Sequence, residues 1–327
     1  MNSTKRNKIL ALSGGVGGAK LALGLSTIVE DERLSIVVNT ADDFVHLGLR
    51  VSPDLDTLMY TLAGESNQTQ GWGLQGESWQ AMNMLSCFGG DTWFQLGDRD
   101  LGTHLMRTQA FHQGQRLSEI TETLCQGLKV PQKVLPMSDD PVRTIVKTEQ
   151  GQLSFQHYFV RERCQPKVTG FHFDGLEQAK AQREFVELLQ DPTLEAVVIC
   201  PSNPFVSIAP ILHLKGIREL LRQCNAPVIA VSPIVSGMAI KGPAAKMMKE
   251  LDMPCTALAV AEYYSELLDG FVIDESDAKQ AEAIKQLGIE TLVAPTVMTT
   301  LKDKTDLAEQ VLTFCHTLQK EESICGL

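Results

Sequence analysis

Two short apolar runs, residues 8–13 and 34–40, enclose Ser13-Gly14-Gly15-Val16-Gly17-Gly18-Ala19-Lys20 and a helically spaced stretch at 19–29. Apolar runs of that length read as buried strands, so the chain opens on strand, glycine turn, helix, strand. Parallel strands need a long crossover between them, and a helix supplies it. The alternation returns later, with strands at 195–200, 227–232, 271–273 and 290–294. Helical spacing fills the intervals at 216–223, 244–251, 277–287 and 307–319. The expected fold is a Rossmann-like, doubly wound parallel α/β sheet with helices on both faces.

The middle of the chain breaks this rhythm. Residues 58–62, 79–85, 103–111 and 117–124 are spaced as helices, and 133–159 reads as short strands. Gly151 sits at a hairpin-like turn between 144–147 and 153–158. The expectation is one α/β unit with its core at about 8–56 and 190–320. A helical and small β insertion at about 57–175 caps it.

Charge and cysteine usage exclude several function classes. The 327 residues carry 29 Lys and Arg against 40 Asp and Glu, a net charge of −11. Sequence-independent nucleic-acid binding relies on the opposite surplus. None of the eight cysteines forms a C-x-x-C pair, which argues against a structural zinc site. Their scatter fits reduced thiols in the cytoplasm, most of them buried as small hydrophobes. Lys5, Arg6 and Lys8 before an apolar run imitate a leader, but the glycines that follow make a poor helical segment, so export is not expected. No run of eighteen apolar residues occurs, so neither is a membrane span.

The residues able to carry chemistry gather at predicted strand ends. Glycines between a strand and a helix let backbone approach a phosphate, and the helix N-terminus offers free N–H groups. The spacing is neither a P-loop, since Leu21 follows Lys20, nor a full G-x-G-x-x-G. Asn39-Thr40-Ala41-Asp42-Asp43 follows the second strand, and Pro53-Asp54-Leu55-Asp56-Thr57 comes soon after. Asp54 and Asp56 either alternate in an extended segment and point the same way, or Asp56 caps a helix. Four carboxylates near a phosphate loop would repel the phosphate unless a hard cation such as Mg²⁺ stood between them. In Leu96-Gly97-Asp98-Arg99-Asp100, Arg99 either binds phosphate or pairs with a neighbouring acid, and pairing is the commoner outcome. Ser138-Asp139-Asp140, between prolines, reads mainly as turn chemistry, or else as acceptors for a guanine edge. Ser202 and Asn203 in Cys200-Pro201-Ser202-Asn203-Pro204 follow a strand and suit phosphate or ribose. Lys241, in Lys241-Gly242-Pro243, is a phosphate ligand or a solvated lysine. His46, near the acids, reads as a structural partner rather than a base.

Together and in order, SGGVGGAK, NTADD, SPDLDT, Gly71-Trp72-Gly73, LGDRD with Thr103-His104, LPMSDDPV, PSNP, SPIVSG and AEYY resemble the 2-phospho-L-lactate transferase family (CofD/FbiA). The resemblance runs from about Ile9 to about Met298. It implies a role in making coenzyme F-420. A phospho-acid (phospholactyl, phosphoenolpyruvyl or phosphoglyceryl) moves from a guanosine-diphospho carrier to the ribityl hydroxyl of 7,8-didemethyl-8-hydroxy-5-deazariboflavin. GMP leaves and Mg²⁺ is required.

Carried over by motif, Gly14, Gly15, Gly17 and Gly18 hold the diphosphate, and Ser202 and Asn203 lie at the nucleotide phosphates. Asp42 and Asp56 hold the metal, and Asp56 also contacts the deazariboflavin. Asp98, Arg99, Ser138, Asp139 and Asp140 become substrate contacts. Asp56 and Asp43 are the candidates to take the hydroxyl proton. Gln95 departs from the family, since that position is basic in some members and serves the deazariboflavin site. The resemblance further implies a homodimer and hand-over of the activated donor from the guanylyltransferase that makes it. A different reading is a non-enzymatic, nucleotide-sugar-binding regulator of the gluconeogenesis-factor type. That family shares a related glycine loop and acidic pair but is expected to lack LGDRD and LPMSDD.

Overall fold

The computed structural model describes residues 7–239 and 242–325, with side chains described through 319. Lys5, Arg6 and Lys241 lie outside the described residues. Seven parallel strands form the central sheet: β1 (Lys8–Ser13), β2 (Leu34–Val38), β3 (Lys133–Pro136), β4 (Leu194–Ile199), β5 (Val228–Val231), β6 (Gly270–Asp274) and β7 (Glu290–Ala294). They lie in the order 3-2-1-4-5-6-7, with every neighbouring pair parallel. This is the doubly wound α/β arrangement expected, and its order reverses between β1 and β4. One strand of this sheet, β3, comes from inside the stretch 57–175 that was expected to cap it.

Alternate residues of β1 explain why helices cover both faces. Leu10 and Leu12 enter one buried cluster, whereas Ile9 and Ala11 enter another on the opposite face. Helix α1 (Val16–Ile28) packs against the C-terminal helix Leu301–Cys325 on the second face. The approach is close at Gly24, where a Cβ would strike the Lys304 carbonyl. α1 begins three residues earlier than its apolar spacing suggested. Gly17 and Gly18 enter its first turn despite their poor helix propensity, because only glycine fits there: a Cβ on Gly17 would strike the Pro201 carbonyl. The C-terminal helix also starts early, at Leu301, where Asp303 accepts the N–H groups of Thr299 and Thr300.

The stretch between β2 and β3 holds a hairpin of Phe44–His46 and Leu49–Val51, and helices α2 (Pro53–Leu62), α3 (Gln80–Cys87), α4 (Asp100–His112) and α5 (Leu117–Gly127). A separate antiparallel sheet joins Gly151–Ser154, Arg143–Thr148 and Val168–Asp174. The strand expected at 153–158 stops at Ser154 and turns into a wide helical turn, His157–Arg161. That turn buries Tyr158 and stacks Phe155 on Phe159 with centroids 5.5 Å apart, a contact that an extended strand would prevent by holding the two residues about 13 Å apart along one face. The expectation for cysteines holds for Cys125, Cys200 and Cys315, which are buried. Cys87 is exposed, and Cys164, Cys224 and Cys255 lie part-way out. Among the described residues no helix is long and apolar enough to cross a membrane.

Candidate active site

A cavity of about 550 Å³ opens where the strand order reverses, between the loops that follow β1 and β4. Gly15 and Gly17 line it from the first loop, and Pro201, Ser202 and Asn203 from the second. The two loops are tied together, for Gly14 N–H donates to Ser202 Oγ at 3.0 Å. Gly14 and Gly18 serve that packing: a Cβ on Gly14 would meet Ser207 and one on Gly18 would meet Ser13 and Ser202. Gly15 precedes α1 without a capping side chain, so the first-turn N–H groups are open to a ligand oxygen. Asn203 Oδ1 accepts from Phe205 N–H and starts a wide helical turn, Pro204–Ile208, whose Val206 and Ser207 also line the cavity. Lys20 lines it from α1 and donates to the Met298 carbonyl at 2.8 Å.

Four carboxylates face this space: Asp42, Asp54, Asp56 and Asp100. Ser52 and Pro53 start α2, so Asp54 and Asp56 both fall within its first turn. Asp56 is therefore neither a helix cap nor aligned with Asp54. Two residues on an α-helix differ by about 200° around the axis. Asp54 turns toward the core, accepts from Asn39 Nδ2 at 3.0 Å and stands where a Cβ on Gly15 would come within 2.6 Å. Asp42 is buried beside it, and its Oδ1 finds no hydrogen-bond partner. Among the described residues no Lys or Arg forms an ion pair with either acid. Burial, then the charge of Asp54, raises the Asp42 carboxyl well above the ordinary range, and burial pushes Asp54 up to about 6.

Asp56 points instead toward α4. Arg107 grips it with both terminal nitrogens, Nη1 to Oδ2 at 3.2 Å and Nη2 to Oδ1. Burial raises the Asp56 carboxyl, and the charge of Arg107 pulls it back. Arg107 Nη1 also contacts His104 Nδ1 at 3.2 Å. A guanidinium only donates, so Nδ1 accepts and the ring proton sits on Nε2, 3.3 Å from Asp100 Oδ2. Tyr60 donates its hydroxyl to Asp100 Oδ1 at 2.5 Å. Burial works against the Asp100 charge, but these bonds from His104 and Tyr60 hold its carboxyl below the ordinary value. Asp43 lies behind the wall, where it accepts from Ser52 Oγ at 2.8 Å and burial pushes it up to about 7.

The cap supplies an aromatic end. Trp93, Phe94, Phe155 and Phe159 line the cavity, together with Trp72 from the Gly71-Trp72-Gly73 loop. Gln95 lines it too, its amide donating to the Thr92 carbonyl. His46 is buried against Trp93 and Phe94, a structural partner as expected.

Other motif residues lie away from the cavity wall. Asp98 accepts from Ser78 Oγ and from the N–H groups of Gln80 and Ala81, which starts α3. Arg99 pairs with Glu65 at 3.0 Å and donates to the Gln75 carbonyl, rather than pairing with Asp98 or Asp100. Ser138 Oγ donates to the Lys180 carbonyl, Asp139 takes the N–H and hydroxyl of Ser118, and Asp140 accepts Lys180 N–H. The turn reading of Ser138, Asp139 and Asp140 thus describes their contacts, whereas the ion pair of Arg99 forms with Glu65 instead of the adjacent acids. Sequence reasoning missed Asp54 as a separate site residue and gave no role to Tyr60, His104 or Arg107. The i, i+4 and i, i+3 spacing of Asp100, His104 and Arg107 on one helix was the available signal.

A family model described as "2-phospho-L-lactate transferase CofD" matches residues 9–309. A phosphoenolpyruvate transferase of Streptomyces griseus is 40% identical over 311 residues, 93% of this chain and 97% of its own. A 2-phospho-L-lactate transferase of Methanosarcina acetivorans is 38% identical over 310 residues, 95% of this chain and 100% of its own. Among solved structures, a upf0052-family protein of Bacillus halodurans superposes with a TM-score of 0.63 at 17% identity, covering 95% of this chain and 100% of its own, a likeness of fold.

Proposed function

This chain belongs to the 2-phospho-L-lactate transferase CofD family, and from that premise we propose that it transfers a phospho-acid from a guanosine-diphospho carrier to the ribityl hydroxyl of the deazariboflavin, releasing GMP. The observation that carries the reading is the cavity itself. An uncapped helix start, fit for a diphosphate, stands beside the buried Asp42 and the half-buried Asp54, which form no ion pair with a Lys or Arg among the described residues.

That pair fits a divalent cation. Asp42, with its unpartnered Oδ1, and Asp54 would hold Mg²⁺, and phosphate oxygens would complete the shell. Asp56, expected as a ligand, is matched in charge by Arg107 and does not need the ion. When bound, the cation supplies neutralisation of the diphosphate and Lewis-acid assistance to the departing phosphate.

The protein's own groups do the positioning. N–H groups at the start of α1 take diphosphate oxygens, and Ser202 and Asn203 bracket the same end. The aromatic end takes the planar deazaflavin ring, with Gln95 offering an amide where some relatives offer a charge. The ribityl chain then spans the carboxylate wall, and its hydroxyl meets the phosphorus bearing the acid in line with departing GMP. Most of the rate comes from this alignment and from charge neutralisation.

The test is product mass. Purified protein with Mg²⁺, the deazariboflavin and each guanosine-diphospho acid in turn is read by liquid chromatography–mass spectrometry. The expected product is the deazariboflavin carrying one phospho-acid, with GMP released, and its mass names the acid. Absence of product with every donor, from protein that still binds guanosine nucleotide, would overturn the transfer.

A further inference from the structure

The polar joint between α2 and α4 has no part in holding phosphate or a cation, yet it forms one side of the cavity. Asp56, Tyr60, Asp100 and His104 all reach the wall, and Arg107 lies behind them, 1% exposed. The contacts run in a chain: Tyr60 to Asp100, Asp100 to His104, His104 to Arg107, Arg107 to Asp56. Asp56 and Tyr60 sit one helical turn apart on α2, so the chain begins and ends on the same helix face.

Burying an arginine, two carboxylates and a histidine is costly, and well-packed apolar residues join helices as firmly. Helices α1 and α2 are joined that way, through Leu21, Leu25, Leu55 and Leu58. The charged joint therefore serves something other than cohesion. Its geometry shows what. Arg107 takes one lone pair on each Asp56 oxygen from behind, so both oxygens keep capacity to accept a bond from the cavity side. His104 contacts Arg107, and Asp100, held by Tyr60, stands 3.3 Å from His104 Nε2.

We propose that His104 and Arg107 are positioning residues: they hold Asp56, which the family resemblance already assigns to the deazariboflavin, as a fixed hydrogen-bond acceptor on the cap side of the cavity. The proposal rests on the transferase reading above. Asp54, on the opposite face of α2, serves the donor end, so loss of the joint affects the two substrates unequally.

The experiment measures KM for the deazariboflavin and for the guanosine-diphospho donor separately, with Mg²⁺ saturating. His104→Leu removes both imidazole contacts. Its acceptor KM is expected to rise about tenfold or more, the effect of one charge-assisted hydrogen bond, while the donor KM stays within about twofold. His104→Gln supplies one acceptor and one donor and is expected to return the acceptor KM to within about threefold of wild type. An unchanged acceptor KM in His104→Leu overturns the proposal, as does an equal rise for both substrates or a His104→Gln enzyme no better than His104→Leu. If His104→Leu does not fold, Tyr60→Phe is read the same way, and an unchanged acceptor KM there overturns the proposal. Wild-type protein that yields no product with any donor fails the transferase reading itself, before any variant is compared.

Discussion

Asp54 and Asp56 lie two residues apart on the first turn of α2, and their surroundings treat them in opposite ways. Asp54 faces Asp42 and a glycine loop, with an asparagine for company and no ion-paired Lys or Arg among the described residues. Asp56 faces α4 and is gripped by Arg107. The first pair is a repulsion that a bound cation would relieve, and the second is a charge already balanced by the fold. Burial alone would therefore not mark a metal ligand; burial without a built-in counter-charge would.

The largest test of this contrast is activity. Asp42→Asn and Asp54→Asn are each expected to lower turnover by about 10³-fold, the scale of losing a metal's transition-state stabilisation. Without Mg²⁺ the same variants are expected to be at least as stable as wild type, since they remove like-charge repulsion. A loss of stability in Asp54→Asn would erase the distinction from Asp56.

Asp56→Asn is expected to behave in reverse. It strands the Arg107 charge in the interior, and the unfolding free energy is expected to drop by about 3 kcal/mol in urea titrations, with or without Mg²⁺. A variant as stable as wild type would mean that Arg107 finds another partner.

The third expectation concerns pH. The carboxyls of Asp42, Asp43 and Asp54 are raised in the folded protein, to about 7 for Asp43 and about 6 for Asp54, against about 3.9 in an unfolded chain. Between those values the folded state holds more protons than the unfolded one, so stability falls as pH rises. Metal-free protein is expected to lose denaturant resistance from about pH 4 to about pH 7, and saturating Mg²⁺ is expected to flatten the upper part of that slope. Stability rising with pH over this window would contradict the burial argument.

The smallest effect is expected at Asp98. Its side chain is exposed and starts α3, so Asp98→Asn is expected to lower the melting temperature slightly and leave both KM values unchanged. A selective rise in acceptor KM would restore the substrate role that its motif suggested.

The fold was legible because its signals are local. The glycine-interrupted strand–helix unit and the later alternation placed the strands of the sheet within a residue or two, apart from β3, which the motif order put in the cap. The meeting of the glycine loop with Ser202 and Asn203 was legible for the same reason, since loops after β1 and β4 meet wherever a doubly wound sheet reverses its order. In the cap motifs, Asp98, Asp139 and Asp140 spend their oxygens on nearby helix starts and turns, and a motif does not say where its hydrogen bonds go. The spacing of Asp100, His104 and Arg107 hinted at one helix face, but the pairing of Arg107 with Asp56 was invisible because that partner lies 51 residues earlier on another helix.

The sequence by itself determined the sheet, its crossovers and the glycine loop, because periodicity and chain stiffness act between residues close along the chain. Only the tertiary structure decided which of four similar aspartates would stand unpaired and which would meet an arginine. Desolvation and Coulomb energy depend on distance and burial in space, and neither is written in the order of the residues.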